Sequence, residues 1–272
     1  MHFLGKEIRL KRLLNEKSGK LLAITVDHSI ARGIMNGLIP IQSTIDKIIA
    51  GGPDAITMHK GIAEKCFGKH AGKAALILKC SSFSPYQPEF DTWVTDVEEG
   101  VRLGADAVSM GCIVGGKDQP TQLRNLGLIS KQAAAFGMPL VAHIYPRGEY
   151  VDKKDRYDWK NIAYAVRAGA ELGVDIIKTS YTGSPDTFQK VVEACPAKVV
   201  VAGGEVGDKI EDYLQMTRDI MDVGGAGVTY GRFVWEYEHT TELIKALQLI
   251  IHDNGTVKEA MELLKELEGA KK

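Results

Sequence analysis

The 272-residue sequence predicts an α/β fold, a (β/α)8 TIM barrel. Three observations carry that reading. Eight short, β-branched apolar runs recur with a mean spacing of about 29 residues, the length of one strand–helix unit. Amphipathic stretches of helix length fill the intervals. The first run ends in Asp27-His28-Ser29, where a doubly wound nucleotide-binding sheet usually carries a glycine fingerprint.

In chain order, residues 5–14 read as a helix ahead of the first strand, placed to plug the barrel bottom. The strands follow at 21–28, 55–61, 75–81, 107–113, 140–146, 176–181, 199–205 and 227–232. Each run is too short to stand as an independent helix. Helices are expected at 44–50, 95–103, 126–136, 159–172, 185–194 and 210–223. Six of the strands follow a Gly or Pro by a few residues, as in GADA, GMP and GVD, which ends the preceding helix and turns the chain. Residues 256–267 form an extra, C-terminal helix. No linker or low-complexity segment divides the chain, so 1–272 reads as one domain.

Composition narrows the function. With 34 basic and 35 acidic residues the net charge is −1, which argues against nucleic acid as the main partner. No apolar run approaches the ~18 residues of a membrane span, so no membrane association is expected. The N-terminal residues are interrupted by charge and lack a signal peptide's apolar stretch. Cys66, Cys80, Cys112 and Cys195 form no C-x-x-C or zinc spacing, which points to reduced thiols and a cytoplasmic setting.

Barrel enzymes place their chemistry where the strands end. Those ends offer Asp27 and His28, His59 and Lys60, Lys79, His143 with Tyr145 and Arg147, and Lys178 with Ser180 and Tyr181. The last two strands end in Gly203-Gly204 and Gly231-Arg232. Phosphate sites in barrels commonly form after strands seven and eight, where glycine lets backbone N–H groups approach an anion. Arg232 adds a charge-assisted contact. Alternatively, the glycines merely turn the chain. Lys178 sits inside an apolar strand. Desolvation in the barrel mouth would lower its pKa, and a neutral amine can attack a carbonyl to form a Schiff base. The other reading is an ion pair with Asp27 or Glu205. Tyr145, on the neighbouring strand, can relay a proton or simply pack. Asp27 can assist the lysine or cap a helix. Lys60 and Lys79 are rival Schiff-base candidates.

Two patterns are set aside. The 111–118 segment, GCIVGGKD, nearly fits a nucleotide P-loop, but Asp118 stands where Ser or Thr must hold Mg²⁺. His28, His59 and His143 could converge on a metal, yet no two share a helical ligand spacing, and no metal or cofactor is assigned.

At these residues the sequence resembles the archaeal-type class I fructose-bisphosphate aldolases, a group that includes the 2-amino-3,7-dideoxy-D-threo-hept-6-ulosonate synthases. The motifs are VDHS around Asp27, HKGIAEK at 59–65, GADAVS at 104–109, MPLVAHIYPRG at 138–148, GVDIIKTSYTG at 173–183, VVVAGG at 199–204 and GVTYGR at 227–232. They are in order and span nearly the whole chain. The resemblance implies a metal-free barrel, usually in homo-oligomeric rings, acting on a phosphorylated sugar. It places the Schiff-base lysine at Lys178, the proton-relaying tyrosine at Tyr145 and the strand-one aspartate at Asp27. It places phosphate binding at Gly203, Gly204, Gly231 and Arg232, with His28 and Arg147 as further substrate contacts. Fructose 1,6-bisphosphate is the default substrate. The alternatives are transaldolase-like synthase chemistry, the related phospho-dione thiolase of autoinducer catabolism, and a non-covalent phosphate-binding barrel. Three positions depart from the group's pattern. Ser29 replaces the glycine of DHG, Phe233 replaces the Asn of GRN, and residues 79–90, expected to be a pocket-lining loop, match neither aldolase nor synthase.

Overall fold

The computed structural model describes residues 4–204, 207 and 209–270. A first helix, α1 (Leu4–Leu13), precedes β1 (Leu21–Thr25), the short α2 (His28–Arg32), α3 (Ile41–Gly51) and β2 (Ala55–Met58). Next come the single turn α4 (Lys60–Ile62), β3 (Ala75–Lys79), β4 (Ser81–Ser84), β5 (Gln87–Trp93) and α5 (Val97–Arg102). Regular alternation then runs through β6 (Ala107–Val114), α6 (Gln119–Ala135), β7 (Leu140–Pro146), α7 (Trp159–Glu171), β8 (Ile176–Thr179), α8 (Pro185–Glu193) and β9 (Lys198–Ala202). The chain ends with α9 (Ile210–Asp222), β10 (Gly227–Tyr230), α10 (Arg232–Trp235), α11 (Thr240–Asp253) and α12 (Val257–Gly269).

Eight parallel strands, β1, β2, β3, β6, β7, β8, β9 and β10, close into a barrel, with Leu21 of β1 in register with Gly227 of β10. Each comes from one of the eight apolar runs. Glu205, the last residue of the seventh run, lies outside the described residues. Besides the short helices α2, α4 and α10, two larger elements were not read from the sequence. One is α11, which buries its apolar stripe of Leu243, Ile244, Leu247 and Ile251 beside α3 and α12. The other is the antiparallel hairpin β4–β5, which occupies the segment expected to be a loop. Its two-residue turn is Pro85-Tyr86. Two prolines within the segment, and no Asn-Gly or Asp-Gly pair, hide it from pattern reading.

Inward-facing residues follow from strand alternation. Leu21, Ala23, Ala55, Ala75, Ile77, Ala107, Val141, Ile176 and Val200 form an apolar cluster separate from the outer core between strands and helices. Leu13, at the end of α1, completes it and is fully buried. The N-terminal helix thus plugs the bottom of the barrel. Lys6 pairs with Asp175 at 2.9 Å, Arg9 donates to the Gly137 carbonyl at 3.0 Å, and Arg12 lies 3.5 Å from Asp106. These partners stand just before β8, β7 and β6. Partly exposed pairs contribute at most about 1 kcal/mol each, and burying Leu13 contributes about 2 kcal/mol. The apolar plug therefore holds α1, and the cations set its direction. At the other end of the chain, α12 starts with a Thr256–Glu259 capping box and buries Ala260 and Leu264.

Candidate active site

The register that points Val141 and Ile176 into the lower core points the residues two places on into the barrel mouth. His143 pairs with Lys178 across β7 and β8. Tyr145 follows His143 on the same face, Lys79 follows Ile77, and Thr25 follows Ala23. Together they line a cavity of about 420 Å³ at the C-terminal ends of the strands.

Every residue singled out for the site lines this one cavity: Lys178, Tyr145, Asp27, His28, Arg147, Gly203, Gly204, Gly231 and Arg232. Of the rival lysines, Lys60 turns away and pairs with Glu99 at 2.6 Å on the surface. Lys79 stays in the cavity. Tyr181 also turns out, donating to Asp219 at 3.0 Å. Gly111–Val114 belongs to strand β6, so the near-P-loop is not a loop where its first glycine stands. Among the described residues, no group of three or more His, Cys, Asp or Glu is placed to hold a metal ion.

Lys178 is 7% exposed. Burial disfavours its ammonium form, Lys79 adds like-charge repulsion, and Asp27 opposes both, so its pKa falls from 10.5 to about 8. At neutral pH roughly a tenth of such amines are neutral, against about one in 3,000 for an ordinary lysine. The field thus raises the nucleophilic fraction by about two and a half orders of magnitude.

Asp27 follows β1 and precedes α2, but its side chain makes no capping hydrogen bond. Burial works against its ionisation. His28, Lys178, Lys79 and His59 outweigh that and hold the carboxyl below the usual aspartate range. His28, 3.6 Å from Asp27, is itself pushed down to about 4, chiefly by burial. Burial likewise depresses His143 and His59. These imidazoles are neutral at physiological pH and supply polar walls rather than charge. Burial raises the Tyr145 phenol, so it stands as a proton donor. The Arg147 guanidinium lies 4.4 Å from the Phe83 ring and 5.4 Å from the Tyr145 ring, close enough for cation–π contact.

On the opposite wall, Gly231 has no room for a side chain, since a Cβ would sit 2.4 Å from the His28 ring. Trp235 of α10 packs edge-on to His28 and donates to the Thr25 carbonyl at 3.1 Å, tying α10 to the end of β1. Phe233, the departure from GRN, stacks on Tyr213 at 3.8 Å between ring centroids and backs Gly203, where a Cβ would come within 2.9 Å of it.

Sequence reading missed several lining residues. Arg32 and Arg156 bring further positive charge to the cavity, whereas Ser82, Phe83 and Pro88 of the hairpin form one wall, as expected of the 79–90 segment. Arg156 lies in the loop after β7 without any motif. Only its position at the mouth end of a strand signals it.

A closed barrel with a desolvated lysine among acid, phenol and glycine-loop partners at its mouth defines a barrel aldolase. The pattern of the DeoC/LacD family aldolases matches residues 21–237, and the chain belongs to that family. It is 37% identical over 260 residues to a 2-amino-3,7-dideoxy-D-threo-hept-6-ulosonate synthase of Halobacterium salinarum, covering 94% of this chain and 95% of that one. It superposes with a TM-score of 0.82 on the crystal structure of an archaeal fructose 1,6-bisphosphate aldolase, at 29% identity over 92% of this chain and 99% of that one. A second archaeal fructose-1,6-bisphosphate aldolase structure, with the catalytic lysine covalently bound to the carbinolamine intermediate, aligns at 28% identity with a TM-score of 0.82, over 91% and 99% of the two chains. No helix among the described residues is long and apolar enough to cross a membrane.

Proposed function

We propose that this chain is a class I aldolase-type enzyme in which Lys178 forms a Schiff base with a phosphorylated ketose. The observation that carries the reading is the desolvated Lys178 amine, sharing one cavity with Asp27, Tyr145 and the glycine loops. The neutral amine attacks the substrate ketone. The Asp27 carboxylate assists formation of the carbinolamine, which then loses water to give an iminium. The bond between C3 and C4 then breaks, its electron pair enters the iminium to form an enamine, and the C4 hydroxyl proton leaves as the aldehyde forms. Tyr145 serves that proton. As a neutral phenol it protonates the alkoxide in the condensation direction and recovers the proton in cleavage. Backbone N–H groups at Gly203, Gly204 and Gly231, with the Arg232 guanidinium, hold the phosphate. His28 and Arg147 contact the rest of the substrate.

Fructose 1,6-bisphosphate is the substrate suggested by the structural relatives. Transaldolase-like transfer to an amino-aldehyde acceptor is favoured by the 37% relative. Incubating the enzyme with fructose 1,6-bisphosphate alone, then with aspartate semialdehyde added, separates the two. Triose phosphates released without acceptor identify the aldolase, and product formed only with the semialdehyde identifies the synthase. No turnover in either case, or activity abolished by a chelator, overturns the reading.

We also infer a homo-oligomeric assembly, supported by the exposed Leu4 and Ile8 of α1 and the exposed Leu128 and Phe136 at neighbouring α6. Light scattering at the mass of a monomer would exclude it. The four buried, free cysteines support a cytoplasmic setting.

A further inference from the structure

The hairpin β4–β5 does more than wall the cavity. Along β5 the one buried residue is an acid, Asp91, whose side chain is fully buried. Both carboxylate oxygens lack a hydrogen-bond partner. The cation beside it is Lys79, whose Nζ lies 3.9 Å from Asp91 Oδ1 and whose own side chain is 5% exposed. Burying a carboxylate is costly unless a charge compensates it, and an apolar residue would anchor a hairpin at less cost. The surroundings are built around the acid. Gly111 of β6 leaves the space for it, since a Cβ there would stand 1.5 Å from Asp91 Oδ2. Gln122 Oε1 accepts from the Asp91 and Ile113 N–H groups, at 3.4 and 2.9 Å, and Gln122 Nε2 donates to the Glu89 carbonyl at 3.0 Å. Ser81 Oγ accepts from Lys79 Nζ at 3.2 Å and from the Gly111 N–H at 2.7 Å. The hairpin is therefore bolted to the barrel at the point where its acid meets the cavity lysine.

We propose that Asp91 and Lys79 are a positioning pair of the active site, in which the hairpin's buried carboxylate fixes a second ammonium group in the cavity that holds Lys178. The proposal rests on Lys178 being the nucleophile. Four titratable groups face Lys178: Asp27 from the end of β1, His28 from α2, Lys79 from β3 and His143 from β7. Burial makes both imidazoles neutral, so Lys79 is the cation that acts against protonation of Lys178, while Asp27 favours it. Around Lys79 stand Asp91 from β5, Asp27, His59 just after β2, and His143. Without Asp91 the buried Lys79 ammonium would lose its counter-ion and its fixed place beside Lys178.

The sign follows. Imine formation needs neutral Lys178, so its rate rises as pH rises through about 8. Removing the Lys79 charge moves that midpoint upward.

The test is the rate at which cyanoborohydride traps dihydroxyacetone phosphate on Lys178, followed by peptide mass against pH. The variants are Lys79→Met with Asp91→Asn, and Lys79→Arg alone. The double variant removes both buried charges together, so no lone ion is left to unfold the chain. The expected result is a midpoint raised by about one pH unit in the double variant and kept in Lys79→Arg. An unmoved midpoint in the double variant, with Lys178 still trapped, overturns the pairing and leaves Asp91 a structural anchor. Absence of any Lys178 adduct in the unmodified protein instead overturns the reading of Lys178 as nucleophile.

Discussion

The lower and upper halves of the barrel interior are built from the same strands and differ in what those strands bury. Below, Ala23, Ile77, Val141 and Ile176 meet Leu13 in an apolar plug. One inward step higher, the same four strands present Thr25, Lys79, His143 and Lys178. All four are buried, at 7% exposure or less. The lower layer has its partners and is a source of stability. The upper layer is not fully satisfied. Ser109 and Thr229 hydroxyls find no hydrogen-bond partner, and neither carboxylate oxygen of Asp91 does. Unpaired buried polar groups are costly, so a layer rich in them marks where the fold gives up stability for chemistry. Alternation determines that a residue faces inward. Whether that face is core or site depends on the height along the strand.

The contrast predicts opposite mutational signatures. The largest effect is expected for Lys178→Met, which removes the proposed nucleophile. Turnover should fall by about 10⁴-fold or more, with a melting temperature no lower than that of the unmodified protein. A melting temperature that falls steeply would make Lys178 a structural residue. Tyr145→Phe should lower kcat by about 10²- to 10⁴-fold while leaving Lys178 trappable by borohydride, because it removes proton transfer and not imine formation. Loss of trapping would place Tyr145 in the first step instead. In the lower layer, Leu13→Ala should cost about 2–5 kcal/mol in chemical denaturation, with kcat within about twofold of the original. A kcat that falls with stability would show that the halves are coupled. The smallest change is expected for Arg232→Gln, which should raise KM for a phosphorylated substrate about tenfold and leave that for a non-phosphorylated analogue unchanged. Equal loss for both would remove the phosphate role.

Much of this arrangement was legible in the sequence, for a physical reason. The barrel strands are short and apolar, most are followed by a polar residue or a glycine, and a run such as VDIIKTSY shows both the strand and its out-of-place lysine. The eight strands, the plugging helix and the convergence of Lys178, Tyr145, Asp27 and the glycine pairs could be read that way. The hairpin could not. Residues 81–93 contain Pro85 and Pro88 and no strict alternation, and their strands exist because they pair with each other and fasten onto Gly111 and Gln122. Asp91 was invisible for the same reason, since its significance lies in being buried beside Lys79, a fact of tertiary packing. Arg32 reaches the cavity from the end of the one-turn helix α2, too short to show a periodicity, and Arg156 from the loop after β7.

The central claim is that the upper layer is built around a nucleophilic amine at Lys178. Borohydride reduction of the protein in the presence of dihydroxyacetone phosphate, followed by peptide mapping, tests it most directly. A single reduced adduct is expected, on the peptide carrying Lys178 and absent from Lys178→Met. An adduct on Lys79, or none on folded protein with any phosphorylated ketose of this class, would contradict it.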